Sequence, residues 1–127
     1  MEKTVKILLV DDESDFTQPV KLWLESKGYS VIVASDGKSA VQLVKKEAPD
    51  VLFLDLRMPV MNGVDTLKKI REFDKDLPVI IISAYVTDPI AREVTSYGIS
   101  GFFYKDKNFE DILPLLESAL RTHKKLK

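Results

Sequence analysis

Val51-Leu52-Phe53-Leu54 is an uninterrupted apolar segment that ends at an acid, Asp55. A second segment, Lys6-Ile7-Leu8-Leu9-Val10, ends in the same way at Asp11 and Asp12. Neither shows the alternation of a strand with one solvated face, so both are predicted to be parallel strands covered on both sides. Aspartate is rare at the end of a buried strand unless it is paired or binds a cation. If the strands are neighbours, three carboxylates meet at one sheet edge and favour a divalent cation.

Similar apolar segments alternate along the chain with segments of helical period. The predicted strands are Val5–Val10, Val31–Ala34, Val51–Leu54, Pro78–Ile82 and Gly101–Tyr104. The predicted helices lie near Asp15–Lys27, from Asp36 to Pro49, near Val64–Phe73, from Thr87 to Gly98, and from Asn108 onward. The alternation is typical of an α/β fold, a single doubly wound sheet of five parallel strands flanked by five helices. We expect Phe73 and the leucines of the first helix in the core, and a late start or kink at Pro19 and Pro114.

The composition predicts one domain with an ordinary core. The chain has 127 residues, of which 45% are hydrophobic and 31% charged, and a net charge of −1. That charge gives no reason to expect direct binding to nucleic acid or to a membrane. The absence of cysteine excludes disulfides and thiolate metal sites, and we expect a cytoplasmic protein. The ordered core is expected over about 4–121, with 122–127 as a basic tail or the start of a linker.

Two further polar residues follow predicted strands. Ser83 ends the fourth apolar segment and Lys105 the fifth. In open parallel sheets, ligands bind beyond the carboxyl ends of the strands, where the strand order reverses. If the order is 2-1-3-4-5, the first and third strands flank that reversal. Three carboxylates, a hydroxyl and an ammonium group would then share one edge.

Four motifs stand in order along nearly the whole chain. They are Val10-Asp11-Asp12-Glu13, Leu54-Asp55-Leu56-Arg57-Met58-Pro59-Val60-Met61-Asn62-Gly63, Ile82-Ser83-Ala84 and Phe103-Tyr104-Lys105. Each is weak alone, but their order and spacing together are specific. On these motifs the chain resembles the receiver domain of two-component response regulators, which has the CheY-like, flavodoxin-like fold with strand order 2-1-3-4-5.

The resemblance implies a role for each residue at the predicted edge. Asp55 would accept a phosphoryl group from a histidine kinase or a phosphotransfer protein, with Lys105 and Ser83 contacting the phosphoryl oxygens. Mg²⁺ would be the cofactor, because it prefers hard oxygen ligands and bridges a carboxylate to a phosphoryl group. Its implied ligands are Asp12, Asp55 and the backbone carbonyl of Arg57, with Asp11 acting through a water.

The resemblance also implies a switch. Ser83 would move toward the phosphoryl group and Phe102 would turn inward, changing the face formed by the fourth helix, fifth strand and fifth helix. That face would bind an output domain or effector protein, or a second copy in a homodimer linked to phosphorylation. The domain would not be an enzyme beyond its own phosphorylation and dephosphorylation.

Three alternatives stay open from the residues alone. A haloacid-dehalogenase-like phosphatase would carry a second Asp two residues after the nucleophile, where this chain has Arg57. A flavodoxin-like flavin site would need a Ser/Thr/Gly-rich phosphate loop after the first strand, where this chain has Asp-Asp-Glu-Ser. A degenerate receiver that only binds partners would lack some of the site residues. The kinase, the output and the signal are not specified by the sequence.

Overall fold

Five strands alternate with five helices along the described residues, 4–84 and 89–123 of the computed structural model. The strands are β1 (Lys6–Val10), β2 (Ser30–Ala34), β3 (Val51–Asp55), β4 (Val79–Ser83) and β5 (Gly101–Tyr104). The helices are α1 (Ser14–Ser26), α2 (Gly37–Glu47), α3 (Gly63–Arg71), α4 (Ile90–Thr95) and α5 (Ile112–His123), and a 3-10 turn, Phe109–Asp111, precedes α5. The predicted helix start at Thr87 and part of the predicted basic tail lie outside the described residues.

All five strands are parallel and form one sheet in the order β2-β1-β3-β4-β5. The predicted fold class and strand order are therefore confirmed. The reversal of strand order lies between β1 and β3, where Val10 is opposite Leu54. Since the two strands are in this register, Asp11 and Asp55 follow directly on aligned positions at the carboxyl edge.

Each face of the sheet has its own apolar core. One core joins the sheet to α2, α3 and α4, and includes Leu8, Leu52, Leu54, Leu67, Ile70 and Val94. The other joins it to α1 and α5, and includes Leu9, Phe53, Leu24, Phe103, Ile112 and Leu116. Burying a side chain of this size stabilises the fold by about 1.5–3 kcal/mol relative to leaving it exposed. Coverage on both faces explains why the strands are apolar at successive positions rather than at alternate ones.

The helix ends follow local chemistry. Asp36 accepts a hydrogen bond from the Ser39 N–H at 2.7 Å and begins α2, and this bond lowers the pKa of Asp36. At the end of α1, Gly28 has φ +98°, a conformation that favours glycine. Pro114 lies in the first turn of α5, after the 3-10 turn, as its missing N–H requires, so the predicted late start is correct. None of the described helices is long and apolar enough to cross a bilayer.

Two expectations about buried side chains are wrong, and one about a proline is wrong in part. α1 begins at Ser14 and continues through Pro19, so a late start does not occur, and the kink expected as the alternative stays a prediction. Early in a helix, a proline removes only one hydrogen bond to the first turn. Leu22 is 67% exposed and Phe73 is 43% exposed, so neither lies in the core. Phe73 falls just beyond the end of α3. Lys45 Nζ lies 4.8 Å from the centroid of its ring, within range of a cation–π contact at the surface.

Arg71, the last residue of α3, binds backbone carbonyls at the far end of α4. Its Nε donates to the Tyr97 carbonyl at 3.0 Å and its Nη2 to the Gly98 carbonyl at 2.7 Å. Its Nη1 donates to the carbonyl of Asp74 at 3.1 Å. Tyr97 and Gly98 belong to the turn that closes α4, so a planar guanidinium group joins the ends of two neighbouring helices.

Candidate active site

Three carboxylates meet at the carboxyl edge of the sheet. Asp11 and Asp12 follow β1, and Asp55 is the last residue of β3. One carboxylate oxygen from each lies within 4.8 Å of the others. Asp11 and Asp55 are buried, whereas Asp12 is exposed. The structure therefore brings together the three acids that the sequence singled out, two inside the protein and one at its surface.

Lys105 directly follows β5 and faces this acidic group from across the edge. Its Nζ forms ion pairs with Asp11 Oδ2, at 2.9 Å, and with Glu13 Oε1, and lies 3.8 Å from Asp55 Oδ2. The Phe16 ring centroid lies 5.0 Å from the same nitrogen, within range of a cation–π contact. The side chain is only 17% exposed. One ammonium group thus faces the carboxylates of Asp11, Glu13 and Asp55, so the negative charge at the carboxyl edge of the sheet exceeds the positive charge.

The Asp55 carboxyl shows the consequence of that imbalance. Burial and, next, the negative charge of Asp11 raise its pKa to about 7. Lys105 and the backbone N–H of Arg57, which donates to Asp55 Oδ1 at 3.3 Å, act in the opposite direction but do not compensate. A carboxyl with this pKa is partly protonated near neutral pH. A cation bound among the three acids would favour its ionised form.

Asp11 is held by the start of α1. Its Oδ1 accepts a hydrogen bond from the Glu13 N–H at 2.9 Å, and the Glu13 carbonyl accepts those of Phe16 and Thr17 at 3.0 Å each. Its Oδ2 is buried and faces Lys105, but within the described part of the chain it accepts no hydrogen bond with good angular geometry. This oxygen is available to a further polar partner, such as a water on a metal ion.

The loop after β3 returns to its own strand at Gly63. The Gly63 N–H donates to the Leu56 carbonyl at 2.9 Å, and Asn62 Oδ1 accepts the Asp65 N–H at 2.9 Å and begins α3. An added Cβ at Gly63 would overlap the carbonyl oxygen of Asp55 and lie 2.8 Å from Leu56 Cα. Only glycine lets α3 start this close to the backbone of Asp55.

The predicted switch residues lie on neighbouring strands. Ser83 ends β4, is buried, and pairs in register with Tyr104, and its carbonyl accepts the Lys105 N–H at 3.0 Å. Phe102 on β5 is partly buried against the core that contains α4. Its ring is parallel to that of Tyr104, with the centroids 6.1 Å apart. Ser83 therefore lies at the carboxyl edge of the sheet, and Phe102 lies two residues earlier in the register, on β5 of the predicted readout face.

Sequence reasoning assigned no role to two residues that contact Lys105. Glu13 belongs to the first of the four motifs, and Phe16 is an apolar residue of α1. The position of Glu13, an acid directly after Asp11 and Asp12, is the signal from which its role could have been predicted. Its partner lies 92 residues away, so the contact depends on the placement of β5 and cannot be obtained from local spacing.

Comparisons with known proteins agree with this arrangement. The sequence model of the family described as response regulator receiver domain matches residues 7–117. The transcriptional regulatory protein YdfI of Bacillus subtilis is 34% identical over 91% of this chain and 55% of its own length. The transcriptional regulatory protein TrcR of Mycobacterium tuberculosis is 34% identical over 92% of this chain and 46% of its own length. The chain thus spans about half the length of these two relatives.

Solved structures show the same fold over the whole of similar chains. The chemotaxis protein CheY4 of Vibrio cholerae superposes with a TM-score of 0.87 at 31% identity, covering 93% of this chain and all of that one. A response regulator receiver domain protein from Clostridium thermocellum gives 0.89 at 27% identity, covering 97% and 99%. On the family match, on these relatives and on the fold, the chain belongs to the family of response regulator receiver domains, the signalling domains of two-component systems.

Proposed function

We propose that Asp55 is the phosphoacceptor of this receiver domain. The observation that carries this role is a buried carboxylate at the sheet edge, beside two further acids and 3.8 Å from an ammonium group. An Asp55 oxygen attacks the phosphorus of a kinase or phosphotransfer-protein phosphohistidine. The O–P bond forms as the P–N bond breaks. The electron pair of the P–N bond stays with the imidazole nitrogen, which takes up a proton. The product is an acyl phosphate on Asp55.

Lys105 and Ser83 are proposed to bind the transferred group. The gap of 3.8 Å between Lys105 Nζ and Asp55 Oδ2 exceeds a hydrogen bond, and a phosphoryl oxygen attached to Asp55 would bring negative charge to that ammonium. Ser83 ends the adjacent strand β4, and its hydroxyl is proposed to donate to another phosphoryl oxygen. Such contacts neutralise and orient the group, which is most of what phosphoryl transfer asks of a protein.

The acidic group fits a divalent cation, and we propose Mg²⁺. Three hard oxygen donors within 4.8 Å, an under-bonded Asp11 Oδ2 and an Asp55 pKa raised to about 7 all indicate missing positive charge. Asp12, Asp55 and the Arg57 carbonyl would hold the ion, with Asp11 acting through a water. When bound, Mg²⁺ would supply charge neutralisation for the phosphoryl oxygens.

Metal removal gives a direct test of that assignment. We expect EDTA to abolish labelling by acetyl phosphate, and Asp12→Ala to weaken the affinity for Mg²⁺ by about tenfold or more, because it removes a direct oxygen ligand. Titration calorimetry with MgCl₂ measures the affinity and intact-protein mass spectrometry measures the labelling. Asp65→Ala removes an acid outside the cluster and serves as the control. Undiminished labelling in EDTA would contradict the proposed metal dependence.

The raised pKa of Asp55 predicts a pH dependence. A proton and Mg²⁺ compete for this carboxylate, so the apparent affinity for Mg²⁺ should fall by up to about tenfold per pH unit below pH 7 and level off above it. Without metal, the free energy of unfolding should decrease as the pH rises from about 4 to 7. The reason is that the folded state holds the proton on Asp55 more tightly than the unfolded state does. Denaturant titrations with EDTA or MgCl₂ at several pH values measure both effects. Asp55→Asn should remove both; their survival would assign them to another group.

The proposed output follows from the position of the switch residues. Ser83 pairs with β5, and Phe102 on β5 packs against the core that contains Val94 of α4. We propose that modification of Asp55 changes the packing of the face formed by α4, β5 and α5. Relatives of about twice this length are transcriptional regulatory proteins, which supports an output domain as one partner. An effector protein or a homodimer linked to phosphorylation are the other partners that we propose for this face. A cytoplasmic location and the extent of the ordered core, 4–121, stay predictions.

A further inference from the structure

Lys105 meets a different partner on each side of its ammonium group. Asp11 Oδ2 lies 2.9 Å from Nζ, Glu13 Oε1 accepts a hydrogen bond from it, and the ring of Phe16 lies 5.0 Å away. Asp55 Oδ2 faces the same nitrogen at 3.8 Å, too far for a hydrogen bond. An ammonium has three hydrogens to donate. One is donated to Glu13 Oε1, whereas Asp11 Oδ2 forms an ion pair with the ammonium without accepting a hydrogen bond of good geometry, so a hydrogen remains for the side of Asp55.

Glu13 differs from the other acids of the site. Its side chain is 61% exposed and is not one of the three acids that lie within reach of a single ion. Its backbone is fixed, because its N–H donates to Asp11 Oδ1 at 2.9 Å and its carbonyl accepts the first N–H groups of α1. Asp11, Glu13 and Lys105 therefore form a closed triangle of contacts beside Asp55.

From this triangle we infer that Glu13 is a positioning residue for phosphoryl transfer, which holds the Lys105 ammonium with one hydrogen free toward Asp55. A lysine side chain is a flexible four-carbon stem, and the entropy of fixing it is lost during the reaction unless the group is already held. Glu13 supplies that restraint from the surface without entering the metal cluster. The inference rests on the proposed function of Asp55 and Lys105 and adds a residue to it.

The test uses Glu13→Gln, which keeps the shape and an acceptor oxygen but removes the charge, together with Glu13→Ala. We expect the rate constant of labelling by acetyl phosphate at saturating Mg²⁺ to fall by about threefold to tenfold, and more for Ala than for Gln. In a Lys105→Ala background the same changes should have no further effect, because the ammonium that Glu13 holds is gone. Mg²⁺ affinity should be nearly unchanged.

A spectroscopic readout distinguishes positioning from a general effect on stability. A held ammonium gives a ¹H–¹⁵N signal that exchanges slowly with water, so the Lys105 Nζ signal should be present in the unmodified protein and broadened in Glu13→Ala. Glu25→Gln is the matched control, because it breaks an exposed Lys–Glu contact of 2.9 Å, with Lys21, elsewhere on α1. It should alter neither the signal nor the rate.

The outcomes separate this inference from the proposed function. An unchanged or faster labelling rate in Glu13→Gln, with normal labelling of the wild type, would refute the positioning role and leave Asp55 as the acceptor. A faster rate would make Glu13 a competitor that holds the ammonium away from the phosphoryl group. Equal effects of Glu13→Ala with and without Lys105 would also overturn the inference. Absence of labelling in the wild type would instead contradict the proposed function itself.

Discussion

Asp55→Asn should eliminate the mass increase of one phosphoryl group that acetyl phosphate and Mg²⁺ produce on the wild-type chain. The amide has no anionic oxygen with which to attack phosphorus, so the loss should be complete rather than partial. The fold should persist, because the substitution replaces a buried, partly protonated carboxyl, with a pKa of about 7, by a neutral group of the same shape. Intact-protein mass spectrometry measures the labelling, and circular dichroism checks the fold.

The control for this experiment is Asp65→Asn, an exposed acid in the first turn of α3 that lies outside the acidic cluster. It should label to the wild-type extent. Full labelling of Asp55→Asn would show that another residue accepts the group. Rapid multiple turnover of a phosphoester by the wild type, without stoichiometric labelling, would favour the phosphatase alternative over a signalling domain.

Gly63→Ala should be among the most destabilising single changes in the chain. The added methyl group would overlap the Asp55 carbonyl oxygen and lie 2.8 Å from Leu56 Cα, and backbone atoms cannot rotate away as a side chain can. We expect a loss of about 3 kcal/mol or more in the free energy of unfolding, and a fall in Tm on the order of 10 °C. Denaturant titration and calorimetry measure these quantities.

Two other glycines provide graded comparisons. At Gly37 the added carbon would meet the hydroxyl of Thr66 and, at 2.8 Å, the sulfur of Met61, which are side-chain atoms able to shift. At Gly101 it would lie 3.1 Å from Leu115 Cδ2, the end of a flexible side chain. We therefore expect a smaller loss for Gly37→Ala and little change for Gly101→Ala. Equal losses at all three positions would point to a general intolerance of added volume rather than to the backbone contact at Gly63.

The sheet could be predicted from the sequence because its strands are buried on both faces. Apolar segments such as Val51–Asp55 and Val79–Ser83 have no solvated side, and this uninterrupted apolar character identifies them as parallel strands covered on both faces. The acids were predictable for the same reason. A charge at the end of such a strand is costly to bury, and Asp11 and Asp55 could be tolerated only where they meet a cation or a partner. The motif resemblance then supplied the strand order.

Surface contacts could not be predicted in the same way. Leu22 lies on the side of α1 opposite the buried Val20 and Leu24, and Phe73 falls beyond the last residue of α3, so both stay exposed although they are apolar. The contact of Glu13 with Lys105 joins loops from opposite ends of the chain, and the role of Phe16 depends on the same placement. Such pairs become visible only once the loops after β1 and β5 are located in space.

The guanidinium group of Arg71 restricts how α4 can move. Because it anchors the carbonyls of Tyr97 and Gly98, the end of α4 that leads into β5 is tethered to a rigid part of the domain. The opposite end of α4, which is nearer in sequence to Ser83, carries no such tether from Arg71. A rearrangement of this helix would then pivot about its Arg71-bound terminus, so that the end that follows β4 would move most and the end that leads into β5 least.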